Sequence, residues 1–282
     1  MKKLRMLAPV FLFLAGAAIF FYPSVANGIA LRRQSQEIHT YEAAVDETSE
    51  EELKRLREEA VIYNDNLAGD PLHDPFVLGS GFVMPDNYKE VLNPSGDGIM
   101  CYIEIPRLQI YLPVYHGTEE EVLQKGVGHV EGSALPVGGE YRNPVLCAHR
   151  GLPTAELFTR LDEMEEGDLF YIHVLGETLA YETARIDVVL PEEVGEYLSP
   201  EKGEDSVTLM TCTPYSLNTH RLLVRGERTE YEEPVRIEQQ ELGEKNVRNY
   251  TKLLICLGVG GAGLALIVLT PLSLKGKKKS GK

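Results

Sequence analysis

Residues 206–226 read SVTLMTCTPYSLNTHRLLVRG. Two short apolar runs, 206–212 and 220–225, flank a segment rich in turn residues. β-Branched residues crowd the first run, and the second is an apolar triplet, Leu222-Leu223-Val224, set between arginines. The stretch is read as two strands joined by a loop, with Cys212 ending the first and Arg221 opening the second.

The same pattern extends upstream. Strands are predicted at 99–105, 109–114, 143–149, 168–175 and 178–190, with clear alternation in YETARIDVVL. Gly176-Glu177 marks a hairpin between the last two. Short helices are predicted at 118–124 and 155–163. Many short strands punctuated by Gly and Pro point to a mainly β fold, a closed or nearly closed barrel. Ahead of it, Thr48-Ser49 followed by Glu50, Glu51 and Glu52 is a helix start, with carboxylates placed at the positive end of the dipole. That helix is expected to reach Tyr63. Residues 64–98 then hold nine Gly and Pro residues, which forbids long regular elements.

The charge is strongly segregated. The chain carries a formal −15, yet no Asp or Glu lies in 1–22 or 253–282, where Lys and Arg are the only charged residues. The middle is therefore more acidic than the total suggests, which argues against a nucleic-acid partner. Both basic ends adjoin apolar runs. Residues 253–274 are uncharged and meet the length that spans a hydrocarbon core; their four glycines suit a lipid helix. Residues 7–22 are shorter, and are read either as a retained anchor or as a signal peptide cut after Ser24-Val25-Ala26. The positive-inside rule puts both termini in the cytoplasm and the acidic middle outside. Cys256 falls in the second apolar run, leaving Cys101, Cys147 and Cys212 outside. Three cysteines cannot all pair with one another, so at least one exported thiol is a candidate nucleophile.

Three residues stand out for chemistry. Taken singly, each has an ordinary explanation. Cys212 at a strand end serves as a small buried hydrophobe, His149 in CAHRG as a structural residue beside a Gly turn, and Arg221 as a solvated or ion-paired cation. Arg225, four residues on, faces the same side as Arg221 and competes with it. Cys147 faces the same side as His149 and is read as core. Together, however, a thiol, an imidazole and a guanidinium form a coherent set. The imidazole favours the thiolate and returns a proton to a leaving amine, while the guanidinium meets a developing oxyanion. No acidic third member is evident.

The motifs TLMTCTPY, NTHRLLVRG and the upstream AHRG resemble those of the sortase superfamily over roughly residues 74–226. The two apolar runs and the triplet Asp74-Pro75-Phe76 narrow the resemblance to the class C (pilus-assembly) sortases of Gram-positive bacteria. That resemblance implies a sortase-type barrel, with Cys212 as nucleophile, His149 as acid/base and Arg221 as transition-state stabiliser. It implies that no acidic third member is required; no cofactor and no metal are expected. The substrates it implies are pilin or surface proteins with LPxTG-like signals, cut between Thr and Gly and joined to a lysine amine. Asp74 and Phe76 become a lid, Asp74 pairing with Arg221 and Phe76 covering Cys212; read without the family, the triplet is a turn. The resulting organisation is a membrane anchor or signal segment at 1–26, an extracellular helical stretch and lid at 27–98, and a catalytic β-barrel at 99–230. A polar linker or helix at 231–252, a transmembrane helix at 253–274 and a basic cytoplasmic tail at 275–282 complete it.

Other readings remain at this level. A housekeeping-type sortase would attach surface proteins to the cell wall by the same chemistry. A papain-like protease would place Cys before His and on a helix, the reverse of the order here. A non-enzymatic surface barrel would leave the trio as coincidence. A zinc site at Cys147, His149 and Cys212 lacks the paired C-x-x-C spacing.

Overall fold

The computed structural model describes residues 2–67, 76 and 87–231. Its centre is a closed eight-stranded barrel: β1 (Ile99–Ile105), β2 (Ile110–His116), β3 (Val127–His129), β4 (Val145–Cys147), β5 (Leu169–Val174), β6 (Glu177–Val189), β7 (Ser206–Thr213) and β8 (His220–Thr229). Around the barrel the order is β1-β2-β3-β4-β7-β8-β6-β5. The β2/β3 and β4/β7 pairs are parallel and the rest antiparallel.

Strand alternation sorts the side chains. Leu146, Val207, Leu209, Leu222 and Val224 join the main core with Phe170, Ile172 and Tyr181. Their neighbours Val145, Cys147, Met210 and Leu223 face the other way, into a second cluster with Val194 and Leu198. The loop that carries α4 (Val194–Tyr197) packs there, between β6 and β7. One face of β4, β7 and β8 thus fills the barrel, and the opposite face builds a covered outer surface.

A single 46-residue helix, α1 (Lys2–Glu47), contains the first apolar run and continues unbroken past it. It is long and apolar enough to cross a membrane. Phe11, Leu12, Ile19 and Phe20 are at least 70% exposed, the lateral surface a lipid-facing helix presents. Farther along, Ile38, Tyr41 and Val45 pack on Ile99, Tyr102 and Tyr115 of the barrel wall. Tyr41 Oη donates to Met100 O (3.1 Å) and accepts from the Leu175 N–H (3.0 Å). Next, α2 (Glu50–Asp65) begins where expected: the Ser49 hydroxyl accepts from Glu52 N–H (3.3 Å). Near its end, Asn64 makes paired hydrogen bonds with the backbone of Leu135.

The expected strands are all present, and the hairpin turns at Leu175 and Gly176, both with positive φ. Three local expectations differ. β3 went unread because three residues, one of them Gly128, show no period. The expected helix at 118–124 contracts to α3 (Glu120–Leu123). The expected helix at 155–163 is a loop ending in a 3₁₀ turn, Leu161–Glu163. Its polar groups turn back to the exit of β4: Phe158 N–H donates to His149 O, Gly151 N–H donates to Thr159 Oγ1, and Leu157 is left-handed. The 253–274 segment, the 232–252 linker, Asp74 and Pro75 lie outside the described residues.

Candidate active site

Register builds the site. In the antiparallel β7/β8 pair, Cys212 stands opposite Arg221 and Thr213 opposite His220. On its other side β7 runs parallel to β4, with Cys147 opposite Met210. The pairing continues one residue beyond β4, because Ala148 N–H donates to Met210 O (3.2 Å) and Thr211 Oγ1 donates to Ala148 O (2.8 Å). The same offset sets His149 opposite Cys212. Neighbouring strands lie about 4.8 Å apart, so the thiol is bracketed by an imidazole on one side and a guanidinium on the other. The outer face carries all three, the face it shares with Cys147, Met210 and Leu223.

Cys212 is 8% exposed and Arg221 5%. The Arg221 guanidinium donates through Nη1 to Asn218 O and His220 O, both at 3.1 Å, so the β7–β8 loop fixes it from behind. Phe76 lies against two of the three, His149 and Arg221. Its ring centroid is 5.9 Å from that of His149 and 5.2 Å from the Arg221 guanidinium carbon. It also packs against the outer cluster that contains Cys147.

An acidic neighbour, absent from the sequence reading, is present. Glu120 Oε2 lies 3.5 Å from His149 Nε2, an ion-pair distance longer than a good hydrogen bond. The Gln124 amide, and then the nearby imidazole, hold the Glu120 carboxyl below its ordinary value. No sequence pattern links Glu120 to His149; the contact depends on how α3 is carried against the β4 exit. Arg150 was likewise unread. It donates to Thr213 Oγ1 (3.0 Å) and to Asp162 (2.6 Å), tying the β4 exit to the end of β7.

Arg225 is engaged elsewhere. It stands opposite Thr208, four residues from Cys212 along β7, and donates to Ser199 O (3.2 Å) and Glu204 Oε2 (3.1 Å). Cys147 is fully buried among Val145, Met210 and Leu223, as a core residue. Cys101 is buried too, and burial pushes its thiol up. None of these cysteines is in a disulfide.

Comparison with known proteins identifies the family of this fold. The sortase-domain family model matches residues 103–229. The structure of sortase C1 of GBS pilus island 1 is 44% identical with a TM-score of 0.65, over 71% of this chain and 94% of that one. The chain belongs to the sortase family. A second similar structure, Streptococcus pneumoniae sortase C, is 43% identical with a TM-score of 0.64, over 70% of this sortase and 97% of that chain. Sortase A of Staphylococcus aureus is 26% identical over 221 residues, 77% of this chain and 90% of its own length. Sortase D of Bacillus subtilis is 30% identical over 128 residues, 45% of this chain, and this sortase spans only 61% of its length. Members of the family are cysteine transpeptidases.

Proposed function

We propose that this sortase is a membrane-anchored cysteine transpeptidase of pilus assembly, acting outside the cell. The observation that carries the reading is the register that brackets Cys212 with His149 and Arg221 beneath the Phe76 ring. The greater identity to pilus sortases than to sortases A and D supports the class.

Each residue has a defined task. The Cys212 thiolate attacks the Thr carbonyl of an LPxTG-like signal on a pilin. The carbonyl oxygen gains negative charge, which the Arg221 guanidinium meets with fixed donors. As the tetrahedral centre collapses, the C–N bond breaks and His149 gives its proton to the departing Gly amine. A thioester to Cys212 remains. A lysine amine of another pilin then attacks it, His149 takes the amine's proton, and the thiolate leaves as the isopeptide bond forms. Atoms and charge balance without a cofactor. Phe76, with Asp74 pairing to Arg221, closes the site between turnovers, which limits hydrolysis of the thioester by water. The first apolar run in α1 and the 253–274 segment anchor the enzyme, with both termini in the cytoplasm.

The test is to incubate the full-length protein with a sorting-signal peptide and follow the intact mass. An acyl adduct is expected on Cys212, and none on the Cys212→Ala variant, which also forms no product. An adduct on Cys147, or turnover by Cys212→Ala, refutes the assignment.

A further inference from the structure

The end of the barrel that carries Cys212 is also the end nearest the first apolar run of α1, through Glu156 on Asn27 and Thr154 beside Val25 and Ile29. The chain holds no charged residue between Arg5 and Arg32. About 20 helical residues cross a hydrocarbon core, so a crossing that starts at Met6 ends near Val25. Two residues on, Asn27 Oδ1 accepts a hydrogen bond from the Glu156 N–H (2.9 Å). Higher on α1, Gln34 donates to Lys125 O (3.0 Å), Glu37 accepts from Tyr115 Oη (2.6 Å), and Tyr41 donates to Met100 O. These contacts fasten the barrel to the helix in one order, with residues 151–156 lowest. At 1.5 Å rise per residue, Asn27 stands about 3 Å beyond Val25, within a headgroup layer roughly 5–7 Å deep.

Two loops of the site converge there. One, 151–154, follows His149; the other, 213–219, joins Cys212 to Arg221. They touch, since a Cβ on Gly151 would stand 2.9 Å from the Tyr215 ring. Thr154 then lines a groove of about 540 Å³ with Tyr22, Val25 and Ile29 of α1, flanked by the cations Arg33 and Lys125 and by Glu121. Neither loop contains a charged residue, in a chain where 25% of residues are charged. Residues 214–219 are all exposed, Tyr215 by 56% and Leu217 by 71%, and Ile29 beside the groove is 61% exposed. The nearby Arg150 is spent on Asp162 and Thr213. Charge-free surface with an exposed Tyr and Leu, next to the exit of an apolar helix, has the composition of an interfacial contact.

We propose that the 151–154 and 213–219 loops, with the groove at the exit of α1, rest on the lipid surface, so that Cys212 faces the bilayer. The inference rests on the reading of α1 as a membrane anchor. The partner is the phospholipid surface itself: Tyr215 sits at headgroup level, Leu217 reaches the upper acyl chains, and Ile29, about 6 Å beyond Val25, lies at the outer edge of the headgroup layer with Arg33 and Lys125 above it. The consequence is geometric. A substrate tethered in the same membrane presents its cleavage point at the height of the thiol, whereas a bulky soluble peptide must enter between loop and lipid.

The chain contains no Trp, so single-Trp variants report without background. Phe11→Trp, Leu217→Trp and Glu47→Trp are compared in the full-length protein, reconstituted in phosphatidylcholine vesicles with and without brominated acyl chains. All three positions are exposed, so folding is preserved. Leu217→Trp is expected to emit to the blue of Glu47→Trp and to lose much of its emission in brominated lipid, as Phe11→Trp does, while Glu47→Trp keeps its own. If Phe11→Trp is quenched and Leu217→Trp behaves like Glu47→Trp, the surface contact is refuted and the anchor stands. Quenching of Glu47→Trp as strongly as Leu217→Trp also refutes it, because the barrel would then lie flat. An unquenched Phe11→Trp refutes the anchor itself, and the inference with it.

Discussion

Removing the Phe76 ring is expected to expose Cys212 to reagents. In the resting protein the thiol is only 8% exposed, and the ring bears on both Arg221 and His149. A cation–π contact of this kind contributes about 0.5–2 kcal/mol, depending on how far it is desolvated. An aromatic pair adds about 0.5–1.5 kcal/mol. Together they hold the ring down by about 1–3.5 kcal/mol, and at 1.4 kcal/mol per factor of ten this is about 5- to 300-fold in the closing equilibrium. When opening is fast relative to modification, the observed rate is the open fraction times the intrinsic rate. Phe76→Ala should therefore label at Cys212 faster than the parent by about that factor. The assay is pseudo-first-order modification by a small methanethiosulfonate, followed by intact mass and located by peptide mapping. Cys101 and Cys147 have no exposed surface and should stay silent; Cys256 is replaced by Ser in both proteins. Cleavage of a short sorting-signal peptide should rise in parallel, and Asp74→Ala tests the proposed pairing of Asp74 with Arg221. If Phe76→Ala labels at the parental rate, the ring does not gate the thiol, and the triplet is only a turn.

Other outcomes separate the neighbours of the site from its framework. Arg221→Ala is expected to cost about 10²–10³ in rate, the loss typical of an oxyanion donor. Arg225→Ala should lower stability by about 1.5–3 kcal/mol, since charge-assisted hydrogen bonds to Glu204 and Ser199 are lost, while the folded fraction keeps its rate. Because Arg221 also loses hydrogen bonds to Asn218 O and His220 O, the rate per folded molecule separates the two, and the opposite pattern would exchange their roles. A further expectation concerns acid. His129 is wholly buried, accepts from Tyr88 Oη at Nδ1 and donates from Nε2 to Ala134 O, and burial pushes its pKa down to about 4. The unfolded chain binds this proton more readily, so its contribution is complete above pH 6.5 and is lost as pH falls from there toward 4. Over that window the loss is about 3 kcal/mol. Urea unfolding at pH 7 and pH 4.5 should show a smaller difference for His129→Gln than for the parent, and an identical difference would remove His129 as a cause.

Much of this was legible along the chain because it is governed by neighbours in sequence. Alternation marked the outer half of β6, since a strand half in the core must alternate, while β8 was marked by the apolar run Leu222-Leu223-Val224. The Ser49 cap and the hairpin, read at Gly176-Glu177 and formed one residue earlier at Leu175-Gly176, rest on contacts or dihedrals spanning a few residues. His149, Cys212 and Arg221 were singled out by motif, and their common face follows from strand period. What the chain could not disclose is what depends on register between distant segments. The parallel pairing of β4 with β7 joins residues 63 apart, and it alone sets His149 beside Cys212. Glu120 meets His149 across 29 positions through a four-residue helix too short to signal itself. The loop at 155–163 has helical composition, yet its hydrogen bonds go to the exit of β4. Likewise, the choice between Arg221 and Arg225 cannot be made by period, because both face outward; it is made by distance from Cys212 and by Glu204. Sequence alone determined which side chains share a face and that the first apolar run could lie in a membrane. Only the tertiary structure decided which of them meet, and that α1 rises from that run directly against the barrel, because pairing energy is earned between segments whose separation no local pattern encodes.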